Sequence, residues 1–258
     1  MALSKNKIKL YRSLYQKKYR DKENLYLAEG KKNVTEAIQN APESIIEIIC
    51  TEDFLHNTAI TKGINVEVCN YNTISKISSL STPQPIIAIL QKPGFSNRFS
   101  GEVKDLTLVL EDIKDPGNLG TIIRLADWFG VEQVICSENC VDCYNPKVVQ
   151  ASMGSIFRMQ LIYTGIASFI HMIREKGIEV YGTSLDGHDI FESEVAFPSV
   201  LVMGNESSGL SEEVKKAVTK NLLIPSFSKN NKKSESLNVS TATAIALSEF
   251  RRQCSYSK

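Results

Sequence analysis

The stretch LEDIKDPGNLGTIIRLADWFG, residues 110–130, decides the fold. An apolar run, 106–112, enters the turn KDPGN, and a helical pattern follows from about Leu119. On a 3.6-residue wheel Leu119, Ile122, Ile123, Ala126 and Phe129 share one face, and Arg124 lies nearly opposite. Asn118 suits an N-cap, where its side chain would accept a backbone N–H. Gly120 leaves room for a close approach to the first turn. Alone, the stretch reads first as a capped helix bearing a solvated arginine. A strand–turn–helix of this kind is nevertheless where open α/β sheets bind ligands, outside the carboxyl ends of their strands.

The same alternation runs through the chain. Short apolar, β-branched runs at 24–29, 45–50, 64–69, 85–90, 106–112, 131–136, 178–183, 199–204 and 221–225 alternate with helical patterns such as KKNVTEAIQN and IASFIHMIREKG. Such alternation predicts βαβ units, parallel sheets and helices on the sheet faces. The stretch 91–105 holds Pro93, Gly94 and Gly101 without periodicity and reads as a linker. This gives a smaller α/β domain over 1–92, a linker over 93–105 and a larger domain over 106–258. A last helix is expected over 237–253, where Ser240, Thr243 and Ala244 would let another backbone come close, in the core or at a dimer seam.

Composition excludes several classes. Of 258 residues, 42% are hydrophobic and 23% charged, ordinary for a globular protein. No apolar run approaches the ~18–20 residues of a membrane helix, and the basic N-terminus lacks the apolar core of a signal peptide. Six cysteines at this length do not make a disulfide scaffold, so a cytoplasmic protein is expected. The net charge of +1 conceals an asymmetry: residues 1–32 carry ten Lys/Arg against three acids, which leaves the remainder at −6. Those cations, mixed with Tyr11, Tyr15 and Tyr19, suit either a nucleic-acid contact, with cations on phosphates and rings under bases, or a solvated basic helix.

Two further loops could carry chemistry. LVMGNESSGLSEEV, 201–214, takes a strand through Gly204, Glu206 and Gly209 into a helix opened by Ser211. Its carboxylates would repel a phosphate, its glycines fit no nucleotide fingerprint, and a cationic ligand with hydroxyls, such as S-adenosylmethionine, fits better. IPSFSKNNKKSESLNVSTATAI, 224–245, takes a strand end through a lysine-rich loop to Ser236, a good N-cap, and Asn238, a turn residue. Each loop alone reads as capping. All three follow strand ends in one domain, so they can converge at one end of one sheet.

NLGTIIR (118–124), LVMGNESSGL (201–210) and IP…SLNVSTATAI (224–225 and 236–245) resemble, in order and spacing, the three motifs of the SpoU, or TrmH-like, ribose 2′-O-methyltransferases. NPKVVQASMGSIFR (145–158) is similar to the stretch between the first two motifs, and the likeness covers 106–252. LYLAEGKKNVTEAI (25–38) and TPQPIIAIL (82–90) look like the substrate-binding domain often joined to that family. The resemblance implies a parallel sheet ending in a C-terminal trefoil knot, a homodimer, and S-adenosylmethionine held by the knot loops. It also implies ribosomal RNA rather than transfer RNA as substrate, and no metal. By the same resemblance Thr183, Gly204, Asn205, Ile224 and Leu237 hold the cofactor. Arg124 acts on the ribose 2′-OH, either as its base or by stabilising the developing alkoxide, and Asn118, Glu206, Ser236 and Asn238 support it and the substrate. An arginine base is awkward, because the guanidinium loses its proton only above pH ~12.

Two departures from the family pattern stand out. The loop 227–235 is longer and richer in lysine, and Lys229, Lys232 and Lys233 could add phosphate contacts. Gln150 stands where relatives often carry arginine, which puts one RNA contact in doubt. Cys136, Cys140 and Cys143 cluster, but zinc takes four ligands as a rule, and His56, His171 and His188 are remote. A Gly-x-Ser-x-Gly elbow is absent. The rival from another class is a non-catalytic RNA-binding or ribosome-assembly protein of the same fold, which need not keep Arg124, Glu206 and Asn238 together.

Overall fold

The computed structural model describes residues 3–56, 63–93, 99, 102–228 and 236–256. Lys229, Lys232 and Lys233, and part of the expected linker, lie outside the described residues. The chain divides into two compact units. One comprises Met1–Ser96 with Asp142–Arg158, the other Asn97–Val141 with Met159–Lys258. The first unit thus takes in 142–158, inside the span assigned above to the second domain. The reason lies in packing: Tyr144 stacks on Tyr26 with ring centroids 4.6 Å apart, and Arg20 and Asn33 hold Asp142 and Gln150.

In the first unit, α1 (Lys5–Ser13), α2 (Lys17–Glu23), β1 (Leu25–Glu29), α3 (Lys31–Asn40), β2 (Ile45–Cys50), α4 (Glu52–His56), β3 (Val66–Val68), α5 (Tyr71–Ile77) and β4 (Ile86–Gln91) follow one another. The sheet order is β1-β4-β2-β3. β2 and β3 run parallel, but β4 is antiparallel to both β1 and β2, so the expected all-parallel pairing fails here. The connection from Cys69 to Pro85 begins and ends at one end of the sheet: Thr51 N–H donates to the Pro85 carbonyl at 3.0 Å while Cys69 N–H donates to that of Cys50. A helix followed by a strand does not reveal such a return.

Tyr11 and Tyr15 turn inward, while Tyr19 is half-buried with the Lys18 ammonium 4.8 Å from its ring centroid. Tyr11 is buried and its hydroxyl donates to Glu47 Oε2 at 2.8 Å, while that of Tyr15 donates to Glu29 Oε1. Burial first, then the facing carboxylate, pushes both phenols up. Neither ring is available to stack under a base. The segment contributes apolar rings to the core and cations to the surface, because Tyr11 and Leu14 fall on the buried side of a helical period. Lys5, Lys9, Lys17, Lys18 and Lys31 remain exposed.

The second unit contains β5 (Leu106–Leu110), α6 (Pro116–Trp128) and β6 (Gln133–Cys136); α7 (Pro146–Ser152) belongs to the first unit; then follow β7 (Gln160–Tyr163), α8 (Ile166–Arg174), β8 (Glu179–Asp189), β9 (Ser199–Met203), α9 (Glu212–Ala217), β10 (Lys220–Leu223) and α10 (Val239–Tyr256). The six strands are all parallel, in the order β10-β8-β9-β5-β6-β7. Every residue of the central β5 and β9 is buried, as expected for strands covered on both faces. Val109, Ile135, Val180, Val200 and Val202 pack with α8 and α9, and alternate positions such as Leu108 and Leu201 point to the other face. β7 was not anticipated: only Leu161 and Ile162 of its four residues are buried, too short a run for a period of two to register. No helix among the described residues is long and apolar enough to cross a membrane.

Candidate functional site

The strand ends carry the site. β5 leads to Asp115, not Asn118, as the N-cap of α6: Asp115 Oδ1 accepts from Asn118 N–H at 2.8 Å, and Pro116 occupies the first helical position, which needs no donor. Asn118 therefore sits inside the first turn with its amide free. The wheel holds otherwise, since Leu119, Ile122, Ile123 and Ala126 are buried and Arg124 is exposed.

Four hydrogen bonds tie the loop after β5 to the loop after β9. Ser211 N–H and Oγ–H donate to Glu111 at 2.9 and 2.6 Å; Asn205 Nδ2 donates to the Asp112 carbonyl at 2.8 Å; Asn118 Nδ2 donates to Glu206 Oε1 at 2.5 Å. Asp112 presents that carbonyl from a left-handed backbone, φ 58°, which few residues but Asn, Asp and Gly adopt. Ser137 fixes it there: its hydroxyl donates to Asp112 Oδ1 and accepts from Asp112 N–H, both at 2.9 Å. Beside Ser137, hydrogen bonding led by the Cys136 thiol outweighs burial and brings Cys140 down to about 7. Neither Asp112 nor Ser137 announces this role in sequence; the tolerance of Asp for positive φ was the one available hint.

The loop after β9 closes on itself. Asn205 and Gly209 exchange backbone hydrogen bonds at 3.0 and 2.9 Å, and Asn205 Oδ1 accepts from Ser207 N–H and Ser208 N–H. A Cβ on Gly204 would stand 2.5 Å from Leu210 N, so only glycine fits.

The third segment reaches back to the first. Asn238 Nδ2 donates to Asn118 Oδ1 at 3.0 Å, while Asn238 Oδ1 accepts from Ser240 N–H and Oγ–H at 3.0 and 2.6 Å. Asn238, rather than Ser236, thus caps α10. The chemistry orients the whole chain of bonds. A carboxylate can only accept, so the amide of Asn118 turns its NH2 to Glu206, its oxygen must then receive Asn238, and the oxygen of Asn238 is left for the helix.

Beside this relay lies a cavity of about 550 Å³, at the carboxyl ends of β8, β9 and β10 and the start of α10. All five residues expected to hold a cofactor line it: Thr183, Gly204, Asn205, Ile224 and Leu237. So do Glu206 and Ser236. Asn118 and Asn238 join through the relay. Arg124 does not line the cavity; it stands on the exposed side of α6, two turns past the relay asparagine and one turn before Trp128, whose indole is 83% exposed. The space suits a nucleoside-sized ligand. Apolar walls from Met203, Leu210 and Leu222 suit a base, and its charged lining, Asp186, Glu206 and Lys215, favours a cation over a polyphosphate, since Lys215 is paired with Glu212 at 3.0 Å.

The chain is similar to known proteins along most of its length. Residues 105–248 match the model of the SpoU rRNA Methylase family, and residues 5–88 that of the MRM3-like substrate binding domain. The 23S rRNA (guanosine(2553)-2′-O)-methyltransferase RlmP of Bacillus subtilis is 30% identical over 95% of this chain and 96% of its own. An RNA methyltransferase of the TrmH family from Porphyromonas gingivalis superposes with a TM-score of 0.86 at 37% identity, covering 98% of this chain and 100% of that one. The AdoMet-bound rRNA methyltransferase of Sinorhizobium meliloti gives 0.83 at 31% identity, covering 98% and 96%.

Proposed function

Because the chain belongs to the SpoU rRNA methylase family, we propose that it is an S-adenosylmethionine-dependent methyltransferase acting on a ribose 2′-hydroxyl of ribosomal RNA. The observation that carries this reading is the convergence of three remote segments on one cavity, joined by the relay Glu206–Asn118–Asn238. Thr183, Gly204, Asn205, Ile224 and Leu237 would hold S-adenosylmethionine, with no metal. When bound, it supplies a methyl group already made electrophilic by the sulfonium charge. What remains for the protein is to position the attacking oxygen and manage its proton.

Glu206, held by Asn118, keeps a fixed acceptor at the cavity edge, while Asn238 and Ser236 frame the same edge. Arg124 acts as a cation rather than a base, since a water-exposed guanidinium keeps its proton. It stabilises negative charge on the ribose oxygen and can grip a phosphate with two donors. The exposed face of α6 meets its substrate in a homodimer; supporting this are the bare indole of Trp128 and the half-exposed small residues Ser240 and Ala244 of α10. The exposed lysines of the first unit give RNA phosphates a surface. Six cysteines held as thiols accord with a reducing cytoplasm. A C-terminal trefoil knot comes with membership of the family as part of this reading.

Mapping 2′-O-methyl groups in ribosomal RNA from cells with and without the protein tests the reading: one position should lose its mark. An assembly protein that has abandoned the chemistry would leave every mark in place and give no heat with S-adenosylmethionine. In the same calorimeter Gly204→Ala should bind about tenfold more weakly, because forcing a methyl into a closed loop costs roughly 1–3 kcal/mol. Unchanged affinity would show that the loop yields at no cost.

A further inference from the structure

β8 does not run evenly beside β10. Tyr181 and Gly182 pair with Lys220 and Asn221, but the next pairs are His188 with Leu222 and Asp189 with Leu223. Residues 183–187 therefore have no opposite numbers and stand out as an arch. Gly187 forms its far foot, packed too closely on the Asn221–Leu222 backbone for any side chain. Thr183, Ser184, Leu185 and Asp186 all line the cavity, and Leu185 is 73% exposed there.

Among the described residues three charged side chains line that cavity, and they differ in how they are held. Lys215 is neutralised by Glu212. Glu206 is committed to the relay through Asn118. Asp186 has as its partner the hydroxyl of Ser184, two residues back in the same arch, and meets no cation among the described residues. The Ser184 hydrogen bond orients the carboxylate without cancelling its charge.

Resting on the proposed use of S-adenosylmethionine, we infer that Asp186 is a specificity-determining residue: its carboxylate is the counter-charge for the sulfonium, so that the arch favours the charged donor over its demethylated product. S-adenosylhomocysteine shares every other group of the donor, including the ammonium and carboxylate, but its sulfur is neutral. A carboxylate placed near that sulfur separates the two by charge alone. The effect is modest, because the carboxylate is open to water and exposed ion pairs are weak.

The test is calorimetric, with S-adenosylmethionine and S-adenosylhomocysteine each titrated into the full-length protein, wild type, Asp186→Asn and Asp186→Glu. Asp186→Asn should weaken S-adenosylmethionine about three- to fivefold, the range of an exposed charge pair, and leave S-adenosylhomocysteine unchanged. Asp186→Glu should retain most of the preference. Equal weakening of both ligands would place the carboxylate at a group they share, or in the fold of the arch, and would overturn the inference; so would no change in either. A wild type that binds neither ligand would instead defeat the proposed function itself.

Discussion

Arg124→Ala is expected to lower the rate of RNA methylation by about 10²–10³, the usual loss when one preorganised charge-stabilising donor is removed, with the Kd for S-adenosylmethionine within a factor of about two. The separation follows from position. Arg124 lies outside the cavity lining, on the far side of α6 from the buried Leu119, Ile122, Ile123 and Ala126. Its deletion leaves no cavity and orphans no partner among the described residues, so the helix should stand. Single-turnover methylation under saturating donor reads the first quantity and calorimetry the second. Lysine at the same position keeps the charge but not the planar fork, so Arg124→Lys should recover part of the rate. Normal turnover by the alanine variant would remove Arg124 from the chemistry, and an equal loss of donor binding would make its role structural.

The second large effect is on stability. Arg20 is 2% exposed, and its guanidinium makes four hydrogen bonds: Nε and Nη2 to Asp142 Oδ2 at 3.0 and 2.6 Å, and Nη1 to the carbonyls of Leu14 and Tyr15 at 2.8 and 3.0 Å. Arg20→Ala strands a carboxylate and two carbonyls together, and should cost about 3–5 kcal/mol, the range for breaking a buried ion pair from one side. Denaturant unfolding of the full chain measures it. Removing both partners, as Arg20→Met with Asp142→Leu, should recover much of the loss, because the penalty lies in the unpaired charge rather than in the missing attraction. A single variant losing under ~1 kcal/mol would mean that water reaches Asp142 in its place.

Arg20 also marks a limit of reading the sequence. Among ten cations in the first 32 residues nothing distinguished it from its neighbours; its partner lies 122 residues on. Tyr11 and Tyr15 were misplaced for the same reason, since composition groups residues that the helix then sends to opposite sides. The second unit was far more legible. Its central strands β5 and β9 are buried on both faces and read as unbroken apolar runs, and the five positions that motif resemblance assigns to the cofactor all line the cavity, though Asp186 is not among them. The caps were not: Asp115 and Asn118, like Ser236 and Asn238, are interchangeable as local signals. Only the tertiary demand of Glu206 for a donor decides which member of each pair is released from the helix end.

Because Asn118 lies between Glu206 and Asn238, the edge of the cavity joins residues spread over 121 consecutive positions and is completed only by the start of α10. A polypeptide cut before position 236 would hold Arg124, Glu206 and all six strands of the sheet, yet lack one wall of the cavity and one end of the relay.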